Sequence, residues 1–209
     1  MSRRIGAVKT LARVVRNRRL IKRVVAAPTV KLNLGCGSNR QDGYVNVDVR
    51  PLPSVDLVAG PKNCVRYFSG RCDEIYISHV LEHFASPGKA KRDHDETVLG
   101  FLKTVHMLLK PGGVIRVAVP DFGAIARLYV EGRLPLYPRL LGRLCGEQDY
   151  RENLHKCLFD RSFLEQCLTE TGFVNVQEWD PKTTGLCRDS SFDELDGVRT
   201  SLNLIAEKG

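Results

Sequence analysis

The chain has 209 residues, 43% of them hydrophobic and 27% charged, which suits one medium-sized globular domain and excludes a disordered or fibrous protein. Its apolar runs are only a few residues long, against the roughly 20 needed to span a bilayer, and Arg3 and Arg4 are not followed by the apolar stretch of a secretory signal. The formal net charge of +8 is unevenly placed: residues 1–29 carry nine of the 32 basic residues and no acid, leaving 23 basic against 24 acidic side chains in the rest.

Residues 5–25 are predicted as an amphipathic helix, with Ile5, Val8, Leu11 and Val15, then Ile21, Val24 and Val25, on an apolar stripe between basic residues. Pro28 ends it. A strand over 30–34 runs into Gly35-Cys36-Gly37-Ser38. Further strands are expected at 44–48, 55–59 and 73–78. A helix is expected to start near His79, and a longer one to cover 93–109 up to the stop Pro111-Gly112-Gly113. A fifth strand follows at 114–119, then helical segments at 121–131, 135–145 and 162–171, and late strands at 174–179 and 201–207. This alternation predicts an α/β, Rossmann-like doubly wound fold: a seven-stranded, mostly parallel sheet whose last strand enters antiparallel, preceded by the basic helix. The expected organisation is an arm at 1–29 and a domain at 30–209, with a lid insertion at about 120–160. Seven cysteines, an odd number without a C-x-x-C pair, are expected as reduced thiols, mostly in the core of a cytoplasmic protein.

The first chemical signal is Leu32-Asn33-Leu34-Gly35-Cys36-Gly37-Ser38 directly after a strand. Glycines at 35 and 37 permit a sharp turn at the carboxyl end of the sheet, where nucleotide-like ligands bind. The third glycine of G-x-G-x-x-G is absent, because Arg40 stands there. Asp48 ends the next strand, 13 residues after Gly35, where a carboxylate meets ribose hydroxyls. Dinucleotide folds use a spacing of about 20, so the helix between is stunted and a pyrophosphate cradle is disfavoured. A ligand without phosphates fits better.

These motifs resemble those of class I S-adenosylmethionine-dependent methyltransferases over roughly residues 30–209. The resemblance rests on Leu32–Gly37, Val47-Asp48, Val55–Ala59, Asp73–Phe84 and Leu109-Lys-Pro-Gly-Gly-Val114. The pairing of Gly35-Cys-Gly-Ser-Asn39 with the Asp73–Phe84 run is similar to small bacterial methyltransferases of surface-polysaccharide and other glycan pathways. The resemblance implies S-adenosyl-L-methionine as cofactor, with Asn33, Gly35, Cys36 and Gly37 at its methionine part. It places Asp48 and Val49 at the ribose, Gly60 near the adenine, and Ser78 and His79 beside the sulfonium. Two departures stand out: Asn33 replaces an acid common in the family, and Gly60-Pro-Lys replaces the acid often found after the third strand.

Methyl transfer to a hydroxyl needs positioning and a base, and histidine suits the base role near neutral pH. His83 and His155 are the candidate bases, and Asp121, just after the fifth strand, is expected to face the crevice and orient the acceptor. His106 falls in the apolar periodicity of a helix and His94 among charges, so both are expected to be structural or solvated. His79-x-x-Glu82-His83 puts two imidazoles one helical turn apart. Some related methyltransferases hold a divalent ion with Glu-x-x-Glu-His at this place, but here His79 stands for the first Glu, Glu82 reads as helix support, and no metal ligand is assigned. No Asn/Asp-Pro-Pro-Tyr/Phe follows the fourth strand, which argues against DNA base methylation.

The expected acceptor is a small molecule or glycan. Methylation of RNA or protein, and a cofactor-binding accessory protein without catalysis, are the alternatives. For residues 1–28 the expectation is peripheral contact with the anionic inner face of the membrane. A solvated helix packed on the body is the second reading. Nucleic-acid binding is disfavoured because the arm has no aromatic residue to stack on bases.

Overall fold

The computed structural model describes residues 17, 19–87, 97–150 and 153–209. Seven strands form the main sheet: β1 (Lys31–Leu34), β2 (Val45–Asp48), β3 (Leu57–Val58), β4 (Cys72–Ser78), β5 (Leu109–Pro120), β6 (Phe173–Glu178) and the last strand, Ser201–Lys208. A separate two-stranded hairpin, β7 (Glu194–Leu195) and β8 (Val198–Arg199), precedes that last strand, which is therefore β9. The order is β3-β2-β1-β4-β5-β9-β6. β1 to β5 pair in parallel, and β9 runs antiparallel to both β5 and β6, as expected from the sequence.

Central strands of a parallel sheet are covered on both faces, so they read as apolar runs. Ile75, Tyr76 and Ile77 of β4 and Ile115, Val117 and Val119 of β5 have no exposed surface. Helices supply the covering layers: α1 (residues 19–25), α2 (Pro61–Phe68), α3 (Val98–Leu108), α4 (Phe122–Val130), α5 (Leu141–Cys145) and α6 (Arg161–Glu170). Helix α3 buries Val98, Phe101, Leu102, Val105 and Leu108, the face its sequence spacing predicts. Its start lies at Val98, and the expected residues 93–96, with His94, lie outside the described residues.

Sequence spacing missed α2. Pro61 opens it at a position that needs no N–H, and only Cys64 and Phe68, one turn apart, are fully buried among polar neighbours. That is too short an apolar stripe to stand out. The helix expected at His79 is absent. Instead β4 ends with His79 at φ 53°, and a 3-10 turn covers Leu81–His83.

In the arm, the upstream half of the expected stripe (Ile5, Val8, Leu11, Val15) lies outside the described residues. In α1, Val24 is buried in the main core, with Leu20, Ile21 and Val25 packed against it. Ile21, Val24 and Val25 thus face the domain rather than a lipid surface. No helix among the described residues is long and apolar enough to cross a membrane. All seven cysteines are free, five of them buried.

Candidate active site

Two cavities meet at the carboxyl ends of the parallel strands. One, of about 490 Å³, is walled by Leu34, Val47, Val49, Ala59, Pro61, Val80, Phe84 and Phe101, with Asp48 at its side. The other, of about 350 Å³, is polar and includes Asn33, Ser78, Glu82, Arg143, His155, Asp189 and Asp193. Gly35, Arg50, His79, His83 and Tyr150 line both. Both volumes fall in the range of about 300–1,000 Å³ typical of small-molecule sites.

The glycine turn is built on the chain itself. Gly35 has φ 72°, and a Cβ there would lie 2.5 Å from Val80 Cγ2. The Gly37 N–H donates to Asp48 Oδ2 at 2.8 Å, while the Arg50 N–H donates to Asp48 Oδ1 at 2.7 Å. The Asp48 carboxylate thus fixes the turn between β1 and β2 as well as lining the cavity. Asn33 is buried, and its amide donates to Asn46 Oδ1 at 2.9 Å and to the Asn39 carbonyl at 3.1 Å. Burial, then the charges of Asp48 and Asp56, pushes the Cys36 thiol up to about 12, so it stays neutral and is no nucleophile.

Glu82 and three histidines cluster in the polar cavity, with His79 and His83 at its junction with the larger one. Glu82 is 1% exposed, and neither of its carboxylate oxygens has a hydrogen bond. His79 Nδ1 stands 3.5 Å and His155 Nε2 4.0 Å from Glu82 Oε1. The rings of His83 and His155 meet edge to face, centroids 5.0 Å apart. His83 Nδ1 is bonded to the Leu154 carbonyl at 3.2 Å and His155 Nδ1 to the Arg143 carbonyl at 3.1 Å. A carbonyl only accepts, so in both rings Nδ1 carries the hydrogen and Nε2 keeps its lone pair. His79 Nε2 is bonded to Ser201 Oγ at 3.1 Å. Burial keeps these groups uncharged: it pushes Glu82 up to about 8, His79 down to about 3 and His155 down to about 4, and lowers His83 as well.

Sequence distance hides this cluster. The segment between β5 and α6 returns to the sheet at residues 155–157, where the N–H groups of Lys156 and Cys157 both donate to the Glu82 carbonyl. Gly146 makes the return possible. It has φ 76°, and a Cβ would lie 2.0 Å from the Asn153 carbonyl oxygen. The Arg143 guanidinium clamps Asp193 through two hydrogen bonds of 2.6 and 2.8 Å, tying α5 to the loop before β7.

Among the residues expected from sequence, the structure brings Asn33, Gly35, Cys36, Gly37, Asp48, Val49, Ser78, His79, His83 and His155 to the two cavities. Gly60 caps α2 between the lining residues Ala59 and Pro61. Asp121 departs from its expected place. It is the N-cap of α4, accepting from the Ala124 N–H, and it lines a separate depression with Glu178 and Arg199. Its backbone N–H is held by the Thr200 carbonyl, which turns it out of the crevice. Glu82 likewise supports no α-helix, since only a 3-10 turn covers Leu81–His83. Sequence reasoning passed over Arg50, whose guanidinium lies 4.7 Å from the Tyr150 ring centre and so joins the loop after β2 to the segment after α5. It also passed over Arg143 and Asp193, which carry no local signal.

The strand order, with one antiparallel strand beside β5 and the site at the parallel strand ends, defines a Rossmann-like methyltransferase fold. The profile of the methyltransferase-domain family matches residues 18–178, and the chain belongs to that family. No curated protein matches it in sequence. Among solved structures it is similar to the DszA carbon methyltransferase at 13% identity and a TM-score of 0.50, over 86% of this chain and 47% of that one. A SAM-dependent methyltransferase from Archaeoglobus fulgidus is 16% identical, with a TM-score of 0.48 over 95% of this chain and 94% of that one. The aminoglycoside resistance methyltransferase NpmB1 is 15% identical, with a TM-score of 0.49 over 92% and 93%. The chain spans about half the length, 54% and 46%, of the CurJ carbon methyltransferase and the citrinin polyketide synthase CMeT domain that it also matches.

Proposed function

We propose that this chain transfers a methyl group from S-adenosylmethionine to a hydroxyl of a small polar acceptor, a sugar or glycan intermediate. The observation that carries this reading is the meeting of a largely apolar cavity with a polar one at His79 and His83. The larger cavity fits the cofactor. Val49, Ala59 and Pro61 offer apolar walls to a flat base, Asp48 offers a carboxylate to a ribose diol, and the glycine turn brings backbone close to the remainder. When bound, S-adenosylmethionine supplies an already activated methyl on a sulfonium.

The protein then has two tasks, to hold the acceptor in line and to receive its proton. Arg143, Asp189 and Asp193, with Asn33 and Ser78, furnish hydrogen-bond partners for a polyhydroxylated molecule. His83 and His155 stay neutral near pH 7 and present Nε2 lone pairs, so these two imidazoles receive the proton. Tyr150 and Arg50 pack on each other and line both cavities.

Incubation with methyl-tritiated S-adenosylmethionine and a panel of nucleotide sugars and lipid-linked sugars tests this. Tritium is expected in a hydroxylated acceptor, with S-adenosylhomocysteine binding at one equivalent in calorimetry. Tight S-adenosylhomocysteine binding with no transfer to any hydroxylated acceptor would overturn the reading in favour of a non-catalytic binding protein.

A further inference from the structure

We propose that Glu82, His83 and His155 form a binding site for one divalent first-row metal ion that faces the acceptor cavity. The site rests on geometry alone, whereas its role, to hold and acidify the acceptor hydroxyl, rests on the function proposed above. One ligand atom from each of the three residues lies within 4.8 Å of the other two. A tetrahedral shell with bonds of about 2.0–2.2 Å separates its ligands by about 3.3 Å, so an ion draws each atom inward by less than about 1 Å.

Three features distinguish this group from a chance cluster. First, Glu82 is buried, and neither carboxylate oxygen meets a hydrogen-bond donor. An unmatched buried carboxylate is costly, and a cation among the ligands removes that cost. Second, both imidazoles are pinned from behind: Nδ1 of His83 binds the Leu154 carbonyl and Nδ1 of His155 the Arg143 carbonyl. Such outer hydrogen bonds set the tautomer of metal-binding histidines and free Nε2 to coordinate. Third, Ser201 Oγ gives its hydrogen to Asn203 Oδ1 and so accepts one from His79 Nε2, which leaves a lone pair on His79 Nδ1; this and the lone pair of His155 Nε2 converge on the same Glu82 oxygen, at 3.5 and 4.0 Å. Acceptors face acceptors, and the gap calls for a cation or a proton.

Two imidazoles and one carboxylate are the donor set of hydrolytic zinc sites that keep a position open. Imidazole favours the first-row transition ions over magnesium and calcium. Glu82, His83 and His155 all line the polar cavity, so an open position there meets the acceptor. An ion so placed fixes the acceptor oxygen in line and lowers its pKa, and because it then occupies the Nε2 lone pairs of His83 and His155, the hydroxyl proton leaves to water in the polar cavity rather than to those imidazoles.

Cobalt(II) is the probe, because its visible absorption reports nitrogen and oxygen ligation directly. The untagged full chain, stripped with chelator, is expected to bind one equivalent of cobalt(II) with new visible bands and to lose them to excess zinc. Glu82→Gln and His155→Ala are each expected to weaken binding by at least about 100-fold. Neither residue lines the larger cavity, so S-adenosylhomocysteine should still bind both variants and show that they are folded. Methyl transfer should fall with chelator and return with metal. No cobalt or zinc binding by the wild-type chain, or undiminished binding in both variants, would overturn the metal site and leave a cluster that holds a proton. S-adenosylhomocysteine binding and tritium transfer report on the methyltransferase reading separately.

Discussion

At Gly35 one hydrogen atom decides whether the cofactor turn can form. The sequence argument assigned the glycine to close approach of a ligand, but the structure adds the Val80 side chain as a nearer obstacle. With φ 72° and a Cβ only 2.5 Å from Val80 Cγ2, Gly35→Ala combines backbone strain with overlap in a packed site. It should cost about 2–3 kcal/mol in urea unfolding and weaken S-adenosylhomocysteine binding. Val80→Ala in the same chain should recover part of the stability. No recovery would mean that backbone strain alone sets the cost. The motif was thus legible as a turn, while the partner that demands glycine was not, because Val80 lies 45 residues away.

Among the elements, α1 shows how a periodic stripe can be read from sequence without its covering surface being read. The spacing of Ile21, Val24 and Val25 gives a helix face, yet periodicity does not say what covers that face. The structure packs it on the main core. Deleting residues 1–28 should therefore lower unfolding stability by about 3 kcal/mol, the order expected for losing one buried and three half-buried aliphatic side chains. An arm that served purely as a tether would leave the urea midpoint unchanged. The His79-x-x-Glu82-His83 spacing is a second case. It suggested one helix face, whereas the strand runs to its end, turns through a left-handed His79 and closes in a 3-10 turn. Glu82 is buried, and residues 156 and 157 bond to its backbone carbonyl from 74 and 75 residues away, an arrangement that no local pattern encodes.

Across the whole molecule, acid stability depends on carboxylates that tie strands together. Glu74 of β4 takes hydrogen bonds from Arg116 of β5 and from Tyr44, and pairs with Lys31 of β1. Burial pushes its pKa up, but the bonds from Lys31, Tyr44 and Arg116 outweigh this and hold it below the usual 4.5. A carboxylate with a lowered folded pKa contributes stability that is present above the unfolded value and lost as pH falls through the folded value. Glu74→Gln should then cost about 2 kcal/mol at pH 7, and the difference from wild type should shrink steadily below about pH 4.5. Thermal melts between pH 3 and 7 check this. A gap constant with pH would show that packing rather than charge is lost.

The sequence by itself determined what is local. Alternating apolar runs set the succession of strands and helices, the Gly35–Ser38 turn and Asp48 marked the end of the sheet where the cavities lie, and the charge count separated a basic arm from a near-neutral body. Those features repeat within a few residues and follow from periodicity and backbone sterics. Tertiary structure alone decided the chemistry at the floor of the site. His155 lies 72 residues after His83, and Arg143 meets Asp193 across 50. Such meetings depend on how the segment between β5 and α6 crosses the sheet and on which polar groups are left without water. Burial of Glu82 among three imidazoles is a property of that packing, and the same packing turned Asp121 away.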